Sequence, residues 1–358
     1  MLRLLGFLLL LVLCLIPAEI SARREVLTPE QKARLERITL VLVEVLAITD
    51  QGPVDPGPLT DEVVRRLREV GYTVLTDPAQ PHDAVFKVKC EQRKVWEGTS
   101  ASGGDADVPD SPSRVWKGPA CQFTYLLDGR KSGWRKEVRT DFADAIKAAS
   151  EAKAGDPGAY ALAKLKERLE QYDFPIRVAA EWGQEDRLLK LLDAPGVTSA
   201  RKVEVIALLG DLFEVKAVPR LVAELKGADL AAARAAALAL GSIGHKDGIP
   251  ALIEALKSGK PELQIAAARG LGLLGGLHGD FAIIPPLLEA LKTDDLAVKT
   301  EIVWALGKLP DKRAYEPLLA LQRSLRNVRT SDRSSQEGRL WDAVSYSLKQ
   351  IDTSDQMN

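Results

Sequence analysis

The residues with the most reactive side chains are three cysteines, at positions 14, 90 and 121. Cys14 lies in an amino-terminal stretch that we expect to be removed, which leaves Cys90 and Cys121. An even pair of cysteines in an exported protein is a disulfide candidate. We expect the two cysteines in neighbouring antiparallel strands, where they face each other if paired positions sum to about 211. Two outcomes stay open at this point, a Cys90–Cys121 disulfide or two buried free thiols.

The side chains that most often bind metals do not form a metal-binding pattern. Asp105, Asp107 and Asp110 imitate the start of a calcium loop. The sixth and twelfth places of that loop require glycine and glutamate, and here they hold Asp110 and Trp116. We therefore predict a polar loop there and no metal. The three histidines lie far apart in the sequence: His82, His245 and His278.

Gly270, Gly272 and Gly275 satisfy the G-x-G-x-x-G spacing of dinucleotide-binding loops. That motif needs a preceding strand and a helix that starts at the glycines, so that backbone amides reach the pyrophosphate. The preceding residues, QIAAAR, are typical of a helix that closes at the glycines, so we predict a packing role. The sequence contains no G-x-S-x-G, phosphate-loop or C-x-x-C motif. We expect no cofactor and no enzyme activity, although a catalytic group assembled from distant serines and carboxylates stays open.

Composition narrows the class of protein. The 358 residues include 49 Lys and Arg against 50 Asp and Glu, for a net charge of −1. A near-neutral chain gives no support to nucleic-acid binding.

The aromatic residues are distributed unevenly along the chain. Twelve lie from Tyr72 to Trp182, and three lie from Gly183 to Arg313. Because sheets favour aromatic residues and stacked helices favour Ala and Leu, this shift predicts a domain boundary near residue 180.

The first 22 residues are typical of a signal peptide. Arg3 is followed by an uncharged apolar run, Leu4 to Ile16, and then by Pro17 and small residues around Ala22. As a helix that run spans about 20 Å, too short for a hydrocarbon core of about 30 Å. We predict cleavage near Ala22, export to the periplasm, cell envelope or extracellular space, and no membrane span in the mature chain. An uncleaved membrane anchor is the alternative.

Residues 23–180 are predicted to form an α+β domain with a mostly antiparallel sheet. Thr28 and Gln31 form a capping box, and ITLVLVEVLAI (38–48) indicates a central strand that is apolar on both faces. A helix capped by Thr60 follows. The remaining elements are strands at 72–75, 84–96, 121–127 and 134–140 and two closing helices capped by Asp141 and Asp156. This order, with the step GYTVLTD after a helix, resembles the amino-terminal module of TolB-type envelope proteins.

The second half of the chain repeats itself. Glycines 210, 241, 272 and 307 each follow a leucine, at spacings of 31, 31 and 35 residues. Segments that begin around a proline also share a pattern: VPRLVAEL (218–225), IPALIEAL (249–256) and IPPLLEAL (284–291). Each unit holds two amphipathic helices, and neither helix can bury its apolar side alone. The units must therefore stack on one another.

These units resemble HEAT repeats, in the short form that is also found in phycobilin lyases. The second-helix signature of that family is D-x-x-V-R-x-x-A-A-x-A-L-G. Residues 295–307 follow it with Lys299 in place of Arg. Residues 229–241 follow it with Ala232 and Ala233 at the Val-Arg pair. The repeated copies make the second half of the chain similar to the HEAT family.

The HEAT resemblance covers about residues 184–352, with a degenerate last unit at 341–351. It implies an all-α solenoid of about five helix pairs at 181–353, followed by a tail at 354–358. It also implies a non-enzymatic scaffold or adaptor that binds a protein or peptide on its concave face. The alternative is an enzyme, either of the phycobilin-lyase type or with a site between the two domains. HEAT-like di-iron hydroxylases use His-Glu pairs, which this sequence lacks.

Helical periodicity places a candidate binding surface on the second helix of each unit. Positions one, two, five and nine before each repeat glycine are mostly apolar and are expected to face the stack. Positions three and seven before it lie on the opposite side, and Trp, Tyr and Arg dominate interface hot spots. The predicted partner-binding residues are Arg234, Leu238, Ile265, Arg269, Thr300, Trp304, Asp342 and Tyr346. Alternatively, Trp304 and Tyr346 pack against neighbouring repeats.

Overall fold

A computed structural model describes residues 28–98, 114–325 and 334–356, without the side chains of 95–98, 114–117 and 353–356. The predicted signal peptide at 1–22 and the acidic loop with Asp105, Asp107 and Asp110 lie outside the described residues. Among the residues described, no helix combines the length and apolar character that crossing a bilayer requires.

The chain packs into two compact units. Of the described residues, the first unit holds those within Met1–Arg34, Ile38–Asp61 and Val74–Arg168, and the second holds those within Leu35–Arg37, Glu62–Thr73 and Leu169–Asn358. The second unit therefore combines the carboxy-terminal helices with two short segments from earlier in the chain.

Between residues 29 and 171 the described chain forms four helices and seven strands. In order they are α1 (Pro29–Glu36), β1 (Leu40–Thr49), β2 (Gly52–Val54), α2 (Gly57–Glu69), β3 (Thr73–Leu75), β4 (Ala84–Gly98), β5 (Arg114–Leu127), β6 (Arg130–Lys131), β7 (Lys136–Arg139), α3 (Ala145–Glu151) and α4 (Pro157–Gln171). The predicted α+β class of this half is confirmed.

The seven strands form one mixed sheet. Its order is β2–β1–β4–β5–β6, with β3 paired to β1 and β7 paired to β5. β1 and β4 run parallel, whereas β2 with β1, and β4, β6 and β7 with β5, run antiparallel. A parallel neighbour needs a crossover connection, and here the crossover contains α2.

One face of this sheet forms the core of the first unit. Phe86 and Phe123 are fully buried and their rings stack with centroids 5.9 Å apart. The prediction that β1 is apolar and covered on both faces is confirmed for residues 41–43, which are buried, and is wrong further along, where Glu44 and Leu46 are exposed. Glu44 lies opposite Lys87 of β4 and pairs with it at 2.7 Å, which explains how β1 carries a charge in the middle of the sheet.

Cys90 and Cys121 lie directly opposite each other in β4 and β5 and form a disulfide. Paired positions along this part of the ladder follow the predicted register, as with Phe86 opposite Tyr125. Both cysteines are fully buried. The bond joins residues 31 apart in sequence, and such a loop restricts the unfolded chain by about 3–4 kcal/mol in the chain-entropy account.

Two predicted helix starts are wrong by about one turn. α2 begins at Gly57, whose amide donates to Asp55 at 3.0 Å, and Thr60 lies inside the helix. α3 is capped by Asp144, which accepts two backbone amides of the first turn, rather than by Asp141. In both places several polar residues compete for the N-cap, and sequence alone does not decide which carboxylate reaches the free amides.

The second half of the chain is helical. After α5 (Phe174–Glu181), the described residues form five consecutive helix pairs: α6 (Glu185–Leu192) with α7 (Ser199–Asp211), α8 (Val218–Leu225) with α9 (Leu230–Ile243), α10 (Ile249–Leu256) with α11 (Pro261–His278), α12 (Ile284–Ala290) with α13 (Leu296–Gly307), and α14 (Tyr315–Ser324) with α15 (Gln336–Gln356). α15 runs into the segment where we predicted a tail.

The repeat glycines lie where successive second helices approach closely. A Cβ atom on Gly241 would lie 2.6 Å from the Cα atom of Gly270, and one on Gly272 would lie 2.9 Å from that of Ala305. The expectation that the repeat glycines close their helices is confirmed at Gly307, where α13 ends, but it is wrong for α9, which continues to Ile243, and for α11, which continues to His278. The Leu-Gly repeat therefore reflects close packing between helices. This agrees with the packing role that we predicted for the G-x-G-x-x-G glycines of α11.

Aspartates at the first position of the HEAT signature cap two of the second helices, α9 and α13. Asp229 accepts the amides of Ala231 and Ala232, and Asp295 accepts those of Ala297 and Val298. In α11 the same place holds Lys260, which makes no side-chain cap. N-caps of this kind contribute about 1 kcal/mol each, so they stabilise the starts of α9 and α13.

The segments 35–37 and 62–73 are bonded into the beginning of the second unit. Tyr72 donates its hydroxyl to Gln184 at 2.9 Å, and Gln184 donates to the Leu35 carbonyl at 2.8 Å. The Arg187 guanidinium lies 4.0 Å from the Tyr72 ring centroid and donates to the Val70 carbonyl. Burial raises the pKa of Tyr72, which keeps its hydroxyl protonated as a donor.

Candidate functional site

The second helices α7, α9, α11, α13 and α15 pack against each other in succession. Their leucines one position before the repeat glycine, Leu209, Leu240, Leu271 and Leu306, are buried. The positions three and seven before the glycine point away from these leucines, as the periodicity of a helix requires. The side of the second helices that carries the predicted residues is called the second-helix surface below.

None of the eight predicted binding residues is buried. Leu238 is 39% exposed and Tyr346 is 47% exposed, and Arg234 and Arg269 are also exposed. The other four are half-buried: Ile265, Thr300, Trp304 and Asp342. The structure therefore places all eight on the accessible side of the second helices.

Arg269 is held in place by an acidic residue of the next helix. Its Nε atom donates to Glu301 Oε2 at 2.8 Å, and a second guanidinium nitrogen donates to the other carboxylate oxygen. The hydrogen bond to Glu301 raises the pKa of Arg269. Arg269 is half exposed in this pair and Glu301 is mostly covered, and the two-point geometry orients the guanidinium. Glu301, six positions before its repeat glycine, was not among the predicted residues.

Trp304 and Tyr346 form an aromatic pair between α13 and α15. Their ring centroids lie 5.1 Å apart at an interplanar angle of 50°. Trp304 is half-buried by this contact, while Tyr346 keeps nearly half of its surface exposed. The two expectations for these residues are thus both met in part: Trp304 packs on a neighbouring repeat, and Tyr346 remains accessible.

The surface also contains apolar residues that the repeat rows did not include. Leu273 and Leu277 follow Arg269 at intervals of four residues and are 39% and 67% exposed. They lie on the same side of α11, because residues four apart are neighbours on a helix. α11 is longer than α9 and α13, and the apolar spacing in LLGGLHG could have indicated that its exposed side continues.

Other side chains that could act in catalysis or bind a ligand make hydrogen bonds that stabilise the fold. His245 accepts the Asp247 amide at the start of a turn, and His278 contacts the Gly244 carbonyl. Thr300 donates its hydroxyl to the Leu296 carbonyl. Within the described parts of the chain there is no group of three or more His, Cys, Asp or Glu residues that could hold a metal ion.

The carboxylate of Asp173 is half-buried and has a shifted pKa. Burial raises the pKa of Asp173, and Arg201 and Arg66 act in the opposite direction. The carboxylate lies 2.8 Å from Arg201 and 3.1 Å from Arg66. Arg66 and Arg201 both pair with the Asp173 carboxylate. We therefore interpret this cluster as ion pairs that hold segment 62–73 against helices α5 and α7.

A pocket of about 520 Å³ lies on the first helices, away from the second-helix surface. It is lined by Pro285, Leu288, Glu289, Leu291, Lys292, Pro317 and Leu321. Glu289 and Lys292 pair with each other at 2.6 Å and are both exposed. The pocket is therefore an apolar cleft between α12 and α14. Its rim carries one acidic and one basic residue, which neutralise each other.

Comparison with protein families finds HEAT repeats in two overlapping stretches, residues 218–278 and 261–332. No match was found among curated proteins. The resemblance of the first unit to TolB-type modules stays a prediction. The matched stretches span α8 to α14, the region in which the structure shows paired helices and close glycine contacts. Residues 218–332 of the chain are therefore similar to HEAT repeats.

Proposed function

We propose that the protein is an exported, non-enzymatic interaction scaffold whose second-helix surface binds a protein or peptide. The observation that carries this proposal is the exposure of large apolar side chains, Leu238, Leu273 and Tyr346, on a surface that also holds arginines. HEAT repeats are helical scaffolds suited to protein interaction.

Burial by a partner would remove apolar area that the fold leaves in water. Each Å² of apolar surface removed from water contributes about 25 cal/mol. A few such residues at the centre of an interface supply most of the binding free energy, and Trp, Tyr and Arg are the most frequent among them. Leu238, Trp304 and Tyr346 are therefore the residues that we expect to contribute most.

The fixed positions of two of these side chains favour binding. Arg269 is held by Glu301, and Trp304 is held by Tyr346. A side chain that is already ordered loses less conformational entropy when a partner arrives, which is worth about 0.5–1.5 kcal/mol per side chain. The surface is thus partly preorganised.

Two observations support export. The first 22 residues have the order of a signal peptide, and Cys90 and Cys121 form a disulfide, a bond that persists in oxidising compartments. Mass spectrometry of the native protein should find a new amino terminus near Arg23. Intact Met1 in a soluble cytoplasmic fraction would contradict export.

Site-specific cross-linking tests the binding surface. A photoreactive phenylalanine analogue is placed at Leu238 or at Tyr346 in the full chain and irradiated in the native cells. The matched controls carry the same analogue at Ala223 on α8 or Glu254 on α10, which are exposed on first helices. We expect one discrete protein adduct from the first two positions and none from the controls. Equal labelling at all four positions, or none at Leu238 and Tyr346, would refute the proposal.

A further inference from the structure

The middle of the second-helix surface is a block of nine positions, three on each of α9, α11 and α13. Along each helix the three positions are four residues apart, so they lie on one side. The block consists of Arg234, Leu238 and Ser242, then Ile265, Arg269 and Leu273, then Thr300, Trp304 and Lys308. None of the nine is buried. We call these nine residues the central block.

The central block is cationic. It holds three basic residues and no acidic residue. Glu301 lies beside the block and neutralises Arg269. Arg234 and Lys308 are exposed and make no ion pair within the described parts of the chain. Two positive charges are therefore left without a counter-charge.

The other acidic residues near the central block do not offset these charges. Asp229 and Asp295 are at the amino-terminal ends of α9 and α13, where each accepts backbone amides as an N-cap. Glu262 lies in the first turn of α11. On the flanking helices, Asp211 of α7 and Asp342 of α15 lie outside the block. Arg269, at the middle of the central block, is paired with Glu301, and the two cations left unpaired in the described chain, Arg234 and Lys308, lie at opposite corners of the block.

Apolar side chains separate the cations of the central block. Leu238 lies between Arg234 and Ser242 on α9, and Arg269 lies between Ile265 and Leu273 on α11. The aliphatic stem of Lys308 packs over a glycine of α11, which keeps this cation close to the neighbouring helix. With helix axes about 8–10 Å apart, the block spans about 20 Å, the length of an extended segment of about six residues.

We propose that the central block binds an acidic peptide segment in which Asp or Glu side chains alternate with large apolar ones. This inference rests on the proposed function and names the chemistry of the partner. Arg234 offers an unoccupied guanidinium fork to a carboxylate, and Leu238, Leu273 and Trp304 offer apolar contact. Complementary charge speeds association with such a segment and disfavours basic segments.

Selection from a library of random twelve-residue peptides, displayed on phage, tests this preference with the full chain as bait. We expect the enriched peptides to contain an excess of Asp and Glu together with Trp, Phe or Leu, and to be depleted in Lys and Arg. The affinity of a synthetic copy should fall as salt is raised, since exposed charges are screened within about 10 Å at 0.1 M.

Charge reversal locates the binding. The variant R234E/K308E reverses both unpaired cations of the central block. The control K226E/K257E makes the same change of charge at exposed residues that follow α8 and α10 on the first-helix side. We expect R234E/K308E to bind the enriched peptides at least about tenfold more weakly, because close charge pairs at interfaces contribute more than 1.4 kcal/mol. The control should bind as the unmodified chain does.

The outcomes separate this inference from the proposed function. Enriched peptides without an acidic excess that lose binding in L238S/L273S would overturn the acidic preference and leave the proposed function standing. Acidic peptides that bind R234E/K308E and the unmodified chain equally would also overturn the inference. A selection that enriches nothing dependent on either pair of residues would overturn both.

Discussion

The open face of the sheet in the first unit and the second-helix surface in the second unit are both accessible. They differ in how their charged and apolar side chains are arranged. On the open face of the sheet, charged residues pair with each other, as Glu44 does with Lys87 at 2.7 Å and Lys89 with Glu91 at 2.8 Å. On the second-helix surface, Arg234 and Lys308 have no such partner in the described chain, and Leu238 and Leu273 are partly exposed.

Both faces expose leucine, since Leu46 of β1 is 44% exposed on the open face of the sheet. The difference therefore lies in the charges, which are paired at Lys87 and Lys89 of the sheet and, among the residues described, unpaired at Arg234 and Lys308. A solvated face lowers its free energy by pairing charges and by placing apolar side chains on the opposite side of the sheet. A surface that leaves leucines in water and cations unpaired gains by contact with another molecule. Residues on the open sheet face should therefore affect neither stability nor binding strongly, whereas the second-helix surface should affect binding alone.

The largest effect on stability is expected from the covered face of the sheet. Replacing both Cys90 and Cys121 by Ala removes the disulfide and should lower the free energy of unfolding of the first unit by about 3 kcal/mol. Urea unfolding of the oxidised chain measures this loss, and adding reductant to the unmodified chain is the matched control. An unchanged midpoint, with two thiols labelled in the denatured unreduced chain, would show that the bond is absent.

A second large effect is expected from the hidden side of the second helices. In Gly241→Ala the new methyl group meets the Gly270 backbone, which cannot move aside as a flexible side chain can. Overpacking of this kind destabilises by about 1–3 kcal/mol. Gly276→Ala is the control, because its methyl group would lie 3.5 Å from the nearest heavy atom, at ordinary contact distance. Helix propensity should make this control neutral or more stable in thermal unfolding.

A small effect is expected on the open face of the sheet. Glu44→Gln removes the charge that pairs with Lys87, and both side chains are more than 40% exposed. Exposed ion pairs contribute about 0–1 kcal/mol, so the urea midpoint should hardly change. Partner binding should not change at all. A marked loss of binding in this variant would show that the sheet face also contacts the partner, and would break the contrast between the two faces.

Much of the repeat could be predicted because it depends on local patterns. The Leu-Gly spacing and the prolines at first-helix starts identified the helix pairs, and helical periodicity placed Leu238 and Tyr346 on the accessible side. The facing of Cys90 and Cys121 was predicted only on condition that paired positions sum to about 211, and the strands adopt that register. These features depend on residues near in sequence or on a repeat that recurs.

The features that could not be predicted depend on tertiary contacts. Glu301 was missed because its pairing with Arg269 depends on how far α11 and α13 are shifted along their axes relative to each other. The periodicity within one helix does not give that shift. The open face of β1 was missed because its apolar run does not say which face a helix covers. The aspartate that caps α3 was missed because Asp144 and Asp141 are both suitable cap residues, and local geometry decides between them.

The most direct test of the central claim measures binding and stability together in one variant. L238S/L273S changes two leucines that are each 39% exposed and do not belong to the buried core. The affinity for the protein cross-linked at position 238 and the urea midpoint are measured on the same preparation. We predict an affinity at least about tenfold weaker, as expected for loss of hot-spot residues, with an unchanged midpoint. A lower midpoint with unchanged affinity would show that these leucines serve the fold and that the second-helix surface is not the binding site.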